Sequence, residues 1–301
     1  MARATLRVLF SALLLAAAPT AQHVGTPDAA SQPFRLHVIG ASVSGGFRDG
    51  PLTGATEPGD SVTLQHVLKA WCGEHARATT HAPLEMLAMF TNPETIGKKQ
   101  VEAALKAKPD AVLALDFPFW FAYGFVPGDD ESAARRERFA KGLELLARFD
   151  VPVLVGDLPD MTGAARRMLA PAQIPSPAVL RELNAQLAAF AAAHGNVRLV
   201  ELAAIVKTMK EEGVALPLAD GGLPTPPGAL LQGDRLHANR LGMAFLGFTL
   251  QPVLRQLFPE GHPLRAQAWQ LEEFIAACGA ESELAAIRGK TAAPAASGRQ
   301  G

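Results

Sequence analysis

Short apolar runs alternate along this chain with longer stretches in which apolar residues recur at helical spacing. The first run, Leu36-His37-Val38-Ile39, breaks into a small-residue turn, Gly40 to Gly46. It predicts a buried strand from about Phe34 to Gly40. Comparable runs predict strands at about Leu84 to Phe90, Ala111 to Leu115, Val151 to Val155 and Val197 to Leu202. Val62, Leu64, Val67, Leu68 and Trp71 share one helical face and predict a helix over Ser61 to His75. Further helices are expected over Thr95 to Ala107, Asp130 to Phe149, Pro177 to His194, Ala203 to Glu212, Asn239 to Leu257 and Leu264 to Cys278 or beyond. Strands that alternate with helices imply a parallel sheet covered on both faces. The expected fold class is therefore α/β: one three-layer α/β/α sandwich with a five-stranded parallel sheet, of flavodoxin-like type. Fold precedent gives the strand order 2-1-3-4-5.

Composition supports a folded domain, with 49% apolar and 19% charged residues in 301. The 28 basic and 29 acidic residues leave a formal net charge of -1, and no basic stripe stands out, which argues against nucleic acid as a partner. Arg3 and Arg7 precede an apolar run, Val8 to Ala18, and small residues follow at once. This pattern predicts an export signal over residues 1–21, cleaved between Ala18 and Gln22, and hence a periplasmic or secreted protein. Residues 22–33 are expected to be a linker, 34–288 the domain, and 289–301 a disordered tail rich in Ala, Ser and Gly. After cleavage no segment is long and apolar enough to cross a membrane. The cysteines, Cys72 and Cys278, are buried thiols in a cytosolic protein and able to pair in an exported one.

Chemistry concentrates at two places. Ser42 stands at the carboxyl end of the first predicted strand, where ligands bind in open parallel sheets. Gly40, Gly45 and Gly46 let the backbone turn sharply beside it. Far along the chain, Asp234-Arg235-Leu236-His237 precedes an amphipathic helix. A short loop that enters a helix turns both side chains toward one point, and an Asp beside a His fixes its tautomer. Such a pair serves as the general base that a serine nucleophile needs. The alternatives are a turn serine, a helix-capping carboxylate and a surface histidine. The α/β-hydrolase elbow, Gly-x-Ser-x-Gly, does not fit, because Ser44 holds the position two after Ser42. Cys72-x-x-His75 with His81 lacks a second ligand pair, so no metal site is expected.

Taken together, Gly40-Ala41-Ser42-Val43-Ser44-Gly45-Gly46 and Asp234-Arg235-Leu236-His237, followed by Asn239 and Gly242, resemble the first and last blocks of the SGNH (GDSL-like) hydrolase family. The resemblance spans about residues 34–257. Ala41 stands where the family has an aspartate. Where its Gly-x-Asn-Asp block belongs, this chain has Asp116-Phe117-Pro118-Phe119-Trp120 and no asparagine. The resemblance implies a serine ester hydrolase without metal or cofactor, acting on an O-acetyl or short acyl group of a carbohydrate through an acyl-enzyme on Ser42. His237 would be the base and Asp234 its orienting partner. Expected oxyanion donors are the Ser42 backbone and Asn92, with Gly97 in the same loop region. Phe119 and Trp120 belong to an aromatic run that either packs or walls the substrate. The missing asparagine motivates a second expectation: a catalytically weak or inactive relative that binds glycans or a protein partner.

Overall fold

The computed structural model describes residues 33–48, 61–128, 130–164 and 166–292. The expected signal at 1–21, most of the linker and of the loop from Arg48 to Gly59, and residues 293–301 of the tail lie outside the described residues. Five parallel strands form the main sheet: β1 (Phe34–Val38), β2 (Ala76–Thr80), β3 (Ala111–Ala114), β4 (Val153–Gly156) and β5 (Val197–Val200), in the order β2-β1-β3-β4-β5. The helices between them are α1 (Ser42–Gly45), α2 (Leu64–Cys72), α3 (Ala82–Thr91), α4 (Pro93–Ala107), α5 (Phe117–Ala122), α6 (Glu131–Leu146) and α7 (Pro177–Ala193). Beyond β5 come α8 (Leu202–Lys207), β6 (Ala215–Leu218), β7 (Gly221–Pro224), α9 (Arg240–Leu254), α10 (Pro263–Ala266), α11 (Leu271–Cys278) and α12 (Glu281–Ala292).

Alternation along the strands splits the core between the two faces, because successive side chains point to opposite sides. Leu36, Val38, Leu113 and Leu154 face a layer built from α2, α9 and α11. Val112, Ala114, Val153 and Val155 face the other, where α4, α6 and α7 pack. The sandwich is therefore three layers, α/β/α, as the alternation of runs implies.

Four differences from the sequence-based expectation have local causes. The second strand is Ala76–Thr80, and Leu84 to Phe90 is helix α3. β2 is an edge strand, where one face and one backbone edge meet solvent, so its sequence Ala-Arg-Ala-Thr-Thr is half polar. The apolar run at Leu84 begins beside a proline in a first helical turn, and as a helix it leaves Leu84 and Leu87 exposed, 90% and 58%. Past β5 the expected single helix is α8 followed by a π turn, Thr208–Glu212, and an antiparallel hairpin, β6 with β7. The last helix is three pieces, α10 to α12. Residues 289–292 are helical, not tail. Among the described residues no helix is long and apolar enough to cross a membrane.

Candidate active site

The loop after β1 is held from below by two buried side chains. Gln100 on α4 clamps Gly40 from both sides: its Oε1 accepts from Gly40 N–H at 2.8 Å and its Nε2 donates to Gly40 C=O at 2.9 Å. Asp116, at the end of β3, accepts through Oδ2 from the N–H groups of Ala41 (3.2 Å), Val43 (2.9 Å) and Ser44 (3.4 Å). Its Oδ1 accepts from the Ser44 hydroxyl at 2.6 Å. Gly40 has φ 140°, and a Cβ there would collide with Asp116 Oδ1, so the approach of this carboxylate excludes any larger residue. Burial pushes the Asp116 carboxyl above its ordinary value, against the Ser44 hydroxyl and the three amides that favour its charged form.

These bonds account for the amides around the serine. Gly45, Gly46 and Phe47 donate to Ala41 and Ser42 carbonyls. Among the described residues the Ser42 N–H makes no hydrogen bond. From Gly40 to Phe47 every other amide is used. Ser42 is 7% exposed and lines a cavity of about 50 Å³.

The Asp234–His237 loop is closed by a bridge between Leu231 and Ala238, by Gln232 N–H to His237 C=O at 2.8 Å, and by Arg235 in the left-handed region at φ 60°. Asp234 Oδ1 accepts from the backbone of Leu236 (2.9 Å) and His237 (3.0 Å), the local pattern that makes aspartate a turn former. Its Oδ2 lies 2.5 Å from His237 Nδ1. Burial raises the Asp234 carboxyl, but the His237 ring and the two amides outweigh it and hold the group below its ordinary value. A carboxylate at Nδ1 puts that ring proton there and leaves the Nε2 lone pair free in the neutral ring. Nε2 is buried and has no hydrogen-bond partner among the described residues.

Phe47 joins the two loops. Its ring stacks on His237 with centroids 4.1 Å apart, and its carbonyl accepts from Gln232 Nε2 at 2.8 Å, while Gln232 Nε2 also donates to Ala238 C=O at 2.8 Å. Leu236 and Ala238, on either side of His237, line the cavity with Ser42. Phe47, Leu236 and Ala238 thus connect the Ser42 cavity to the Asp234–His237 loop; Ser42 lines that cavity, Asp234 and His237 do not, and no hydrogen bond joins the serine hydroxyl to Nε2.

Most of the other expected site residues fall outside the cavity lining. Asn92 is exposed and caps α4, its Oδ1 accepting from Thr95 N–H at 3.2 Å. Gly97 is buried in α4 because a Cβ would stand 2.7 Å from the Phe121 ring. It is a packing glycine. Phe119 does line the cavity. Trp120 is 3% exposed, sits edge-on to Phe90 and Phe119, and does not line it. Cys72 and Cys278 are both free and buried, the first of the two alternatives the sequence leaves open. Gln100, Gln232 and the clamping role of Asp116 carry no sequence signal, because each acts on main chain distant in sequence.

No family model matches the chain, and no curated protein matches it. Solved structures that match include a gut microbial diltiazem-metabolizing enzyme, 10% identical, with a TM-score of 0.41. The match covers 73% of this chain and 46% of that one, so the chain spans less than half of that enzyme's length.

Proposed function

We propose that this chain is an exported serine ester hydrolase of the SGNH type, acting through an acyl-enzyme on Ser42. The observation that carries the reading is the unspent Ser42 N–H at a cavity wall, beside a loop whose buried Asp234–His237 pair leaves Nε2 free. In acylation Ser42 Oγ bonds to the ester carbonyl carbon and its proton passes to His237 Nε2. The carbonyl oxygen takes the developing negative charge, and the Ser42 N–H donates to it. When the bond to the alcohol oxygen breaks, His237 returns the proton to that oxygen, and the alcohol leaves. Water then repeats the sequence in reverse and frees the acid. Asp234 holds the Nδ1 proton and balances the imidazolium charge throughout. The reading requires Oγ and Nε2 to come within hydrogen-bond reach when substrate binds. Export is supported by the arginines, apolar run and small residues at the N-terminus.

A fluorophosphonate probe tests the reading. Wild type should label, and Ser42→Ala and His237→Ala should not. Labelling that survives in Ser42→Ala, or no labelling of wild type, overturns it. One observation favours a second reading, a binding protein on this scaffold: no Asn or Gln side chain lines the cavity among the described residues, so the Ser42 amide has no side-chain amide to help it. Probe-inert protein would support that reading.

A further inference from the structure

We infer that the cavity at Ser42 is an acyl-chain subsite, and that the preferred acyl group is an unbranched chain of roughly four to six carbons, longer than acetyl. This rests on the serine-hydrolase reading. The wall is almost wholly apolar: Phe119 from α5, Met161 after β4, Leu202 and Val206 from α8, Met209, and Leu246 from α9 are among its residues. Its polar side chains are Ser42 and Asp116. Both Asp116 oxygens are committed to the loop amides and to Ser44, which leaves the Ser42 hydroxyl alone to meet a ligand.

That wall sorts the two halves of an ester. A sugar or other polyol placed inside would give up its water for a surface with no polar partner beyond Ser42 to offer, an unfavourable exchange for each hydroxyl. A hydrocarbon chain loses nothing there. The same segments turn their polar residues the other way. Pro159, Met161, Met209 and Leu236 line the cavity, whereas Asp160, Thr162, Lys210 and Arg235 line a separate, open crevice. The alcohol therefore belongs outside the cavity and the acyl group inside it.

Size sets the chain length. A cavity of about 50 Å³ compares with the ~10–15 Å³ that a single water needs on the same measure. An acetyl methyl fills only part of it and leaves wall atoms without contacts. Each further methylene that enters should raise kcat/KM by about fourfold until the cavity is full.

The test is a series of p-nitrophenyl esters from acetate to dodecanoate, kept monomeric in solution, run on wild type beside Ser42→Ala and fluorophosphonate labelling. The expected result is Ser42-dependent turnover whose kcat/KM rises from acetate to a maximum at butanoate or hexanoate. Filling the cavity with Met209→Trp, or with Val206→Phe if the first variant does not fold, should move the maximum toward acetate. Ser42-dependent turnover that is highest with acetate overturns the subsite and leaves the serine reading standing. A wild type that neither labels nor turns over any ester overturns both.

Discussion

Asp116 Oδ1 accepts a hydrogen bond from the Ser44 hydroxyl at 2.6 Å, and the other oxygen of the same carboxylate gathers three amides of the serine loop. Asp116 stands between β3 and α5. Its hydrogen bonds go to the main chain that carries Ser42. It is a positioning residue: it fixes the loop so that the Ser42 amide alone is left over.

Removing that carboxylate strands several buried donors. Each unsatisfied group costs about 1–3 kcal/mol, so Asp116→Ala should lower stability by roughly 3–5 kcal/mol and the melting temperature by on the order of 10 °C. Asp116→Asn keeps an oxygen for the amides and should cost less than half as much. Thermal unfolding of the two variants checks this. Equal losses would mean that the carboxylate is not what holds the loop.

Asp234→Asn tests the histidine tautomer. An amide at this position can donate its own proton to Nδ1, which shifts the ring proton to Nε2 and removes the lone pair that takes the serine proton. Acylation by a fluorophosphonate should slow by about 10³–10⁴, while KM for an ester changes little. A loss below tenfold would show that Asp234 does not set the tautomer.

Much of this arrangement is legible in the sequence alone. The run ending at Gly40 reads as a central strand because it is buried on both faces, and Ser42 follows from its end. Asp234 and His237 are legible because three residues and one turn bring them together. The clamps are not: Gln100 and Asp116 lie 60 and 75 residues from the backbone atoms they bind, and a polar residue aimed at distant main chain leaves no periodic mark. β2 leaves a weak mark because an edge strand needs few apolar residues. The β6–β7 hairpin turns through Ala219-Asp220, between Leu218 and Gly221, which pair across it, and each strand is only four residues long with a proline in it, too short to leave a period-two pattern.

Asn92 illustrates how a local role hides a residue's placement. Its position after an expected strand suggests an oxyanion donor, yet it caps α4. Asn92→Ala should leave acylation within twofold of wild type and lower stability by about 1 kcal/mol, the usual loss for an N-cap. A rate loss of 10² or more would restore the catalytic role.

The two cysteines offer a chemical check on the packing of α2 and α11. Burial pushes each thiol up to about 12, so neither is a thiolate at neutral pH. Native protein should react negligibly with a thiol reagent over minutes, and denatured, unreduced protein should titrate two thiols. A titre of none after denaturation would establish a disulfide.

His37 makes the fold sensitive to acid in a window distinct from that of Asp234. It lies in β1, buried, with Nδ1 2.9 Å from Thr79 Oγ1 and the His81 ring 5.7 Å away. Burial, and then His81, lower it from 6.5 to about 4. Between those values the unfolded chain binds a proton that the folded chain excludes, so stability is full above 6.5 and falls as pH drops toward 4. Asp234 acts in the same direction at lower pH, as an acid held below its ordinary 3.8. Its contribution is present above that value and is lost only as pH falls further. Asp116, raised by burial, gives the reverse slope just above 3.8, because the folded state there holds its proton more tightly. Comparison with a variant isolates His37 from these neighbours. His37→Gln keeps a side chain able to bond Thr79 and cannot titrate. The melting temperature of wild type relative to this variant should decline as pH is lowered from 6.5 to about 4, and the difference should be flat above about 7. If the two curves run parallel throughout, the folded state accepts a proton on His37 as readily as the unfolded chain does, and the packing of β1 against β2 is not what makes this fold acid-sensitive.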